Sequence, residues 1–212
     1  MAKQINQKVP VLVGAVLLSP NGLSGISMAA DPLVLFTSLK QMAPQTRRVF
    51  VVYAPESSSW LIDKARDACA RLGLQLIASP VNDLRQAINT YQDLIEFRLG
   101  STDAVWLTTD DVSANDRVIL PLLLEAAWNK NFILFSSKPS HAKQGALFSS
   151  YPDHIGMGRS LADMAKRISL DKNSPSLLPT KDLLTAVNLR TAAHLGLTFS
   201  SEQLNRFQLK YP

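Results

Sequence analysis

From Arg48 onward, short apolar runs alternate strictly with amphipathic stretches of helical period, and few architectures tolerate that rhythm. Arg48–Tyr53 is apolar and β-branched after its first residue, the pattern of a strand buried on both faces. Ser57–Leu72 follows, with Leu61, Ala65, Ala68, Cys69 and Leu72 on one helical face and Gly73 as its stop. Leu74–Ala78 is the next strand, and Asp83 caps a helix whose stripe is Leu84, Ile88, Tyr91 and Ile95, ending at Gly100. Asp103–Leu107 is a strand, and Asn115–Lys130 a helix interrupted by Pro121. Phe132–Phe135 and Ala146–Ser149 are strands, and Ile155–Leu170 is a helix with Met157, Leu161, Met164, Ala165 and Ile168 inward. Strand–helix units with short connections predict an α/β fold whose parallel sheet is covered by helices on both faces.

The flanks are less regular. Val9–Leu18 is a continuous apolar run broken only by Pro10 and Gly14, and it predicts a buried strand. Ser19-Pro20-Asn21-Gly22 is turn chemistry, Gly25–Met28 a short strand, and Asp31-Pro32 an N-cap with proline in the first turn of a helix that stops before Pro44. Lys172–Pro179 is polar and rich in proline and serine, so it predicts a crossing segment. Leu183–Asn188 is a strand, and two short helices near Leu189–His194 and Ser200–Phe207 finish the chain.

Composition narrows the function. Apolar residues make up 46% and charged residues 18%, enough to build a core and against disorder. The net charge of +5 comes from basic residues scattered along the sequence, Arg47-Arg48 being the longest run, which argues against a nucleic-acid partner. Cys69 stands alone on a buried stripe, so it reads as packing and leaves no intrachain disulfide or cysteine-based zinc site. No stretch reaches the length of a membrane span. Met1–Lys8 has no apolar h-region, which by itself reads as cytoplasmic.

In a parallel sheet of this kind, ligands sit beyond the carboxyl ends of the strands. After Arg48–Tyr53 come Ser57, Ser58, Ser59 and Trp60, hydroxyls beside free backbone N–H groups that suit a carboxylate, or else simple N-capping. After Asp103–Leu107 come Thr109, Asp110 and Asp111, which suit an amine or magnesium, or else cap a turn. Ser136 and Ser137 follow Phe132–Phe135, and Ser150 and Tyr151 follow Ala146–Ser149. His141, His154 and His194 lack metal-ligand spacing, and there is no G-x-S-x-G elbow. Donors and acceptors converge without a nucleophile and its base, so the expectation is binding without catalysis, cofactor or metal.

Seven stretches in order carry a resemblance. They are Val9–Val16; Pro20–Ser27; Val52-Tyr53-Ala54-Pro55-Glu56; Thr109–Val112; Gly145–Ser149; Asp153–Ile168 with its Gly158-Arg159; and Val187–Leu197 with its Asn188-Leu189 and Leu195-Gly196-Leu197. Together the chain resembles the ABC-transporter substrate-binding family whose better-known members take up aromatic amino acids such as tryptophan. The resemblance implies a type I periplasmic binding protein: two Rossmann-like lobes that close on a ligand about a hinge. It implies that residues 30–151 and 181–212 form the second lobe, while 1–29 and 152–180 form a remnant of the first lobe with crossover segments. Ala2–Lys8 would be the tail of a first-lobe helix, with the rest of that lobe and the export signal lying outside this chain.

On that footing Ser58, Ser59 and Ser137 would hold a ligand carboxylate, Asp110 its amine, and Tyr151 or Trp60 an apolar moiety. Ala54, Gly22 and Asp111 stand where the family usually has asparagine, which implies a different ligand. The implied location is the periplasm. The implied partners are a small molecule and either ABC permease subunits or a membrane signalling protein, with self-association through exposed apolar surface. An incomplete first lobe implies weak ligand binding. A ligand-sensing regulatory module of the same fold and a small magnesium-dependent α/β enzyme using Asp110 and Asp111 are the alternatives.

Overall fold

The computed structural model describes residues 11–170 and 176–212. Ala2–Lys8, and the part of Lys172–Pro179 up to Pro175, lie outside the described residues. In chain order the first elements are β1 (Leu12–Val13), β2 (Ser24–Ala30), α1 (Pro32–Met42) and β3 (Arg48–Tyr53). Next come α2 (Pro55–Leu72), β4 (Gln75–Pro80), α3 (Leu84–Phe97), β5 (Asp103–Leu107) and α4 (Ile119–Lys130). Then follow β6 (Ile133–Ser136), α5 (Pro139–Gln144), β7 (Phe148–Pro152) and α6 (His154–Leu170). The last are β8 (Leu177–Thr180), β9 (Leu183–Asn188), α7 (Leu189–His194), α8 (Ser201–Arg206) and β10 (Leu209–Tyr211).

Local chemistry sets the helix limits. The Asp31 carboxylate accepts from Leu33 N to start α1, and Asp83 accepts from Gln86 N to start α3. Gly73 ends α2 at φ +64, a left-handed conformation that glycine adopts without a Cβ penalty. Helix α4 starts at Ile119 rather than Asn115, because Asn115 Oδ1 accepts from Arg117 N and Val118 N and holds a separate turn. Pro121 therefore falls in the first turn, where its missing N–H breaks no helical bond. Strand β7 likewise begins later than Ala146, since Gly145 N and Ala146 N both bond to the His141 carbonyl and close α5.

Seven strands form the larger sheet in the order β10-β9-β7-β6-β5-β3-β4, parallel except where β7 meets β9 antiparallel. Because side chains alternate across a strand, Val49 and Val51 face one apolar cluster with α1 and α2, while Phe50 and Val52 face a second with α3 and α4. Cys69 is fully buried in the first cluster, and burial pushes its thiol up to about 12. On α3 the most buried positions are Ala87, Tyr91 and Leu94, with Leu84, Ile88 and Ile95 flanking them.

A separate parallel sheet has the order β1-β2-β8. Of the apolar run expected to be one buried strand, Val9 and Pro10 lie outside the described residues; the described part contributes only Leu12–Val13, and Val16 and Leu17 are 45% and 53% exposed. Ala15 takes a positive φ of 56, and the chain then turns along β2 with Val16 O accepting from Met28 N. Among the described side chains of α6 only Met157 is buried; Leu161 and Met164 are half-buried and Ala165 is exposed. The side chain of Ile168 lies outside the described residues. The segments that pass between the sheets are bonded to one another: Asp31 N to Thr180 O at 2.9 Å and Asp153 N to Asp182 O at 2.8 Å. Ser160 Oγ donates to Asp182 Oδ2 at 2.6 Å, which ties α6 to the same junction.

Candidate functional site

A cleft of about 120 Å³ opens where the carboxyl ends of β3 and β5 meet the loop between β1 and β2. The larger sheet contributes Ser57, Ser58, Trp60 and Leu61 from α2, and Thr109 and Asp110 from the loop after β5. The smaller sheet contributes Leu17, Leu18, Ser19 and Ala29. One wall is therefore a helix start with hydroxyls, the other mainly aliphatic.

The start of α2 is left open by its sequence. Its N-cap is Ala54, which has no side chain to accept from the first turn, and Pro55 follows. Ser58 is 7% exposed, and its Oγ lies 3.2 Å from Ser57 Oγ. Positive helix-end potential and two hydroxyls thus face the cleft, which suits an anionic group. Ser19 Oγ donates to the Ser57 carbonyl at 2.7 Å, a hydrogen bond across the cleft. The Ser27 hydroxyl positions that segment, donating to Leu18 O at 2.8 Å and accepting from Leu18 N at 3.1 Å.

Asp110, also from the larger sheet, lines the cleft with much of its capacity committed. Its Oδ2 accepts from Thr108 Oγ1 and Ser113 Oγ, and its Oδ1 from Ser113 N, all at 2.6 Å. A carboxylate offers about four acceptor positions, so one remains for a ligand donor. The Asp111 carboxylate is fully exposed and reaches only Lys138 Nζ, at 4.0 Å. Asp110 is thus bonded within its own loop while Asp111 faces solvent. Among the described residues no three His, Cys, Asp or Glu side chains cluster to hold a metal.

The other expected residues lie elsewhere. Ser59 Oγ donates to its own helix at Pro55 O. Ser137 Oγ accepts from Trp106 Nε1 at 3.4 Å. Ser150 is buried within β7, opposite Thr185 of β9. Tyr151 is half-buried farther along β7, and burial, then Tyr211, pushes its hydroxyl above the ordinary range. None of these, nor Ser136 or Asp111, lines the cleft.

Ser136 belongs to a different network that sequence spacing did not show. Its Oγ lies 2.7 Å from His141 Nδ1 and accepts from Lys138 N, while His141 Nε2 lies 3.0 Å from Asp116 Oδ1. A base does therefore meet a strand-end serine. Both Ser136 and His141 are completely buried, so no substrate reaches the hydroxyl, and the chain of contacts braces the loop instead. Burial drives His141 below its ordinary range against the opposing pull of Asp116. Leu17, Leu18 and Ser19 were also missed, because an apolar run followed by Ser-Pro reads as a strand and a turn.

An α/β body with a second small sheet and a cleft at its strand ends is the frame of the periplasmic binding protein fold. The chain belongs to the ABC transporter substrate binding protein family, which it matches over residues 20–208. Solved structures agree in fold. The ABC domain from Streptococcus pneumoniae in complex with L-Trp superposes with a TM-score of 0.69 at 16% identity, covering 96% of this chain and 72% of that one. A conserved domain protein from Vibrio cholerae gives 0.65 at 20% identity, covering 89% of this chain and 62% of that one. A ligand-free, open substrate-binding protein with adhesive properties from Clostridium difficile gives 0.60 at 17% identity, covering 93% and 66%. This chain thus spans less than two thirds of the Vibrio and Clostridium chains. No curated protein matches it.

Proposed function

We propose that this chain is the solute-binding component of an ABC-type importer, working in the periplasm and taking a small molecule with an anionic group, an amino acid foremost, into the cleft between its sheets. The observation that carries the reading is the uncapped start of α2 with buried Ser58, which lines one cleft together with Asp110 under a wall contributed by the other sheet. Ser57 and Ser58 take the carboxylate, the remaining acceptor position of Asp110 takes the amine, and Trp60 and Leu18 enclose the apolar part. Residues 30–151 with 181–212 act as one lobe, and 1–29 with 152–180 as the other, hinged at Asp31, Asp153 and Asp182. A permease is the partner that receives the solute, and exposed apolar surface of the smaller sheet supports self-association.

The test is an amide chemical-shift titration of the protein with the proteinogenic amino acids. Binding is weak, and the shifts centre on Ser57, Ser58 and Thr109. Ser58→Ala lowers affinity about fivefold, the worth of one neutral hydrogen bond, and Asp110→Asn by about tenfold or more, the worth of one to a charged donor. Shifts that ignore both variants would remove the site assignment. A panel that produces no shifts at all would remove the amino-acid class.

A further inference from the structure

Basic residues that are dispersed along the sequence are gathered by the fold at the amino ends of the strands, opposite the cleft. Helices α3, α4 and α5 run back against parallel strands, so their last turns share that end, where cations complement the helix dipoles; α7 starts there because β9 runs antiparallel to β7. Lys130 Nζ bonds to Ile95 O and Glu96 O, Arg48 Nη2 to Arg98 O, and His194 Nε2 lies 2.9 Å from Trp128 O. These contacts join the ends of α3, α4 and α7. Lys143 and Arg190 line a groove of about 340 Å³ beside Trp128. Arg98, Lys130, Lys143 and Arg190 are all exposed, and among the described residues none pairs with a carboxylate. Glu96 is the one acid on the last turns of α3, α4, α5 and α7.

Two exposed aromatic side chains, Phe97 at 72% and Trp128 at 41%, belong to the two helix ends that Lys130 joins. One terminates α3, the other lies in the last turn of α4. We propose that this end is a docking surface for an anionic lipid bilayer, with Phe97 and the edge of Trp128 entering the headgroup layer and the surrounding cations meeting acidic headgroups. Nucleic acid fits less well. The His194 ring stacks on Trp128 at 3.7 Å and 7°, so that face is closed to a base. A bilayer requires only an exposed edge. This surface is independent of the cleft and of what the cleft binds.

Co-sedimentation of the whole chain with phosphatidylcholine vesicles, with and without phosphatidylglycerol, tests the assignment. The protein should pellet with the acidic vesicles alone, and less as salt is raised. Each cation near such a surface is worth roughly fivefold in partitioning, so Lys143→Gln with Arg190→Gln should lower it by about twentyfold or more. Phe97→Ser, at a position that supports no core contact, should weaken it severalfold with an unchanged melting temperature. Equal pelleting with both vesicle types, or indifference to the cation pair, would overturn the proposal. So would Phe97→Ser binding as well as the parent while a DNA duplex strips both from the vesicles, since the end would then read any polyanion.

Discussion

The two sheets are stabilised in different ways. In the larger one, β5 and β6 are buried at every position, because helices cover both faces and two apolar clusters sandwich the strands. In the smaller one, β1 is only half-buried, Leu178 of β8 is 42% exposed, and α6 buries Met157 alone among its described side chains. The small sheet's central strand β2 is buried at most positions, and what ties the loop and the junction to it is specific: the Ser27 hydroxyl on Leu18, and the backbone bonds at Asp31 and Thr180. A region held by few apolar contacts and several directed hydrogen bonds opens at lower cost than a region held by packing on two faces.

The largest way to break this contrast is Trp106→Ala. Trp106 is fully buried, edge-on to Phe36 with ring centroids 5.3 Å apart. Truncation should cost about 3–5 kcal/mol and lower the melting temperature by roughly 10 °C, measured by circular dichroism. Amide exchange should accelerate in both sheets, since the smaller has no foundation without the larger. If exchange in the small sheet stayed slow while the large one opened, the order of dependence would be reversed.

A smaller perturbation aims at the small sheet itself. Gly25 has φ +153, and a Cβ there would lie 1.9 Å from the Val13 carbonyl oxygen. Gly25→Ala should therefore unpair β1 from β2, with a cost of roughly 1–3 kcal/mol for the strained backbone. Protection should be lost in β1 and β2 and retained in β3, β5 and β6. Uniform loss across both sheets would show one cooperative unit instead of two tiers.

The same contrast explains what was legible in the sequence. Arg48–Tyr53, Asp103–Leu107 and Leu183–Asn188 were read with their observed limits, and Asp31, Asp83 and Gly73 marked helix ends, because doubly covered strands and capped helices write their environment into local pattern. Val9–Leu18 was misread because apolarity signals a need for burial without naming what supplies it. Strand β10 was missed because Leu209–Tyr211 is short and mostly exposed. At the cleft, the strand-end rule brought Ser57, Ser58, Trp60, Thr109 and Asp110 together, since each follows β3 or β5 directly. Ser137, Ser150 and Tyr151 lie outside that lining: the Ser137 hydroxyl is bonded to Trp106, and Ser150 and Tyr151 are within β7, paired with β9. The opposing wall of Leu17, Leu18 and Ser19 depends on how two sheets approach, a relation that no local pattern encodes.

Acid is the gentlest probe, and it acts on the larger sheet. His141 is buried between Ser136 and Asp116, with Lys138 also bonded to Asp116 at 3.0 Å. Burial keeps the imidazole below its ordinary range, so the folded protein resists a proton that the unfolded chain accepts. Stability contributed by the neutral ring is complete above the ordinary value of about 6.5 and declines as pH falls below it, by at most about 1.4 kcal/mol per pH unit. Asp116 adds nothing in that window. Burial raises its carboxyl, the bonds from Lys138 and His141 more than offset this, and its own loss comes only at carboxylate pH. Urea midpoints measured from about pH 6.5 to 5.5 should fall for the parent and stay level for His141→Gln, which starts about 1 kcal/mol lower for its lost hydrogen bonds. An equal slope in the variant would place the proton uptake on another group and leave the Ser136–His141–Asp116 brace without a role in acid sensitivity.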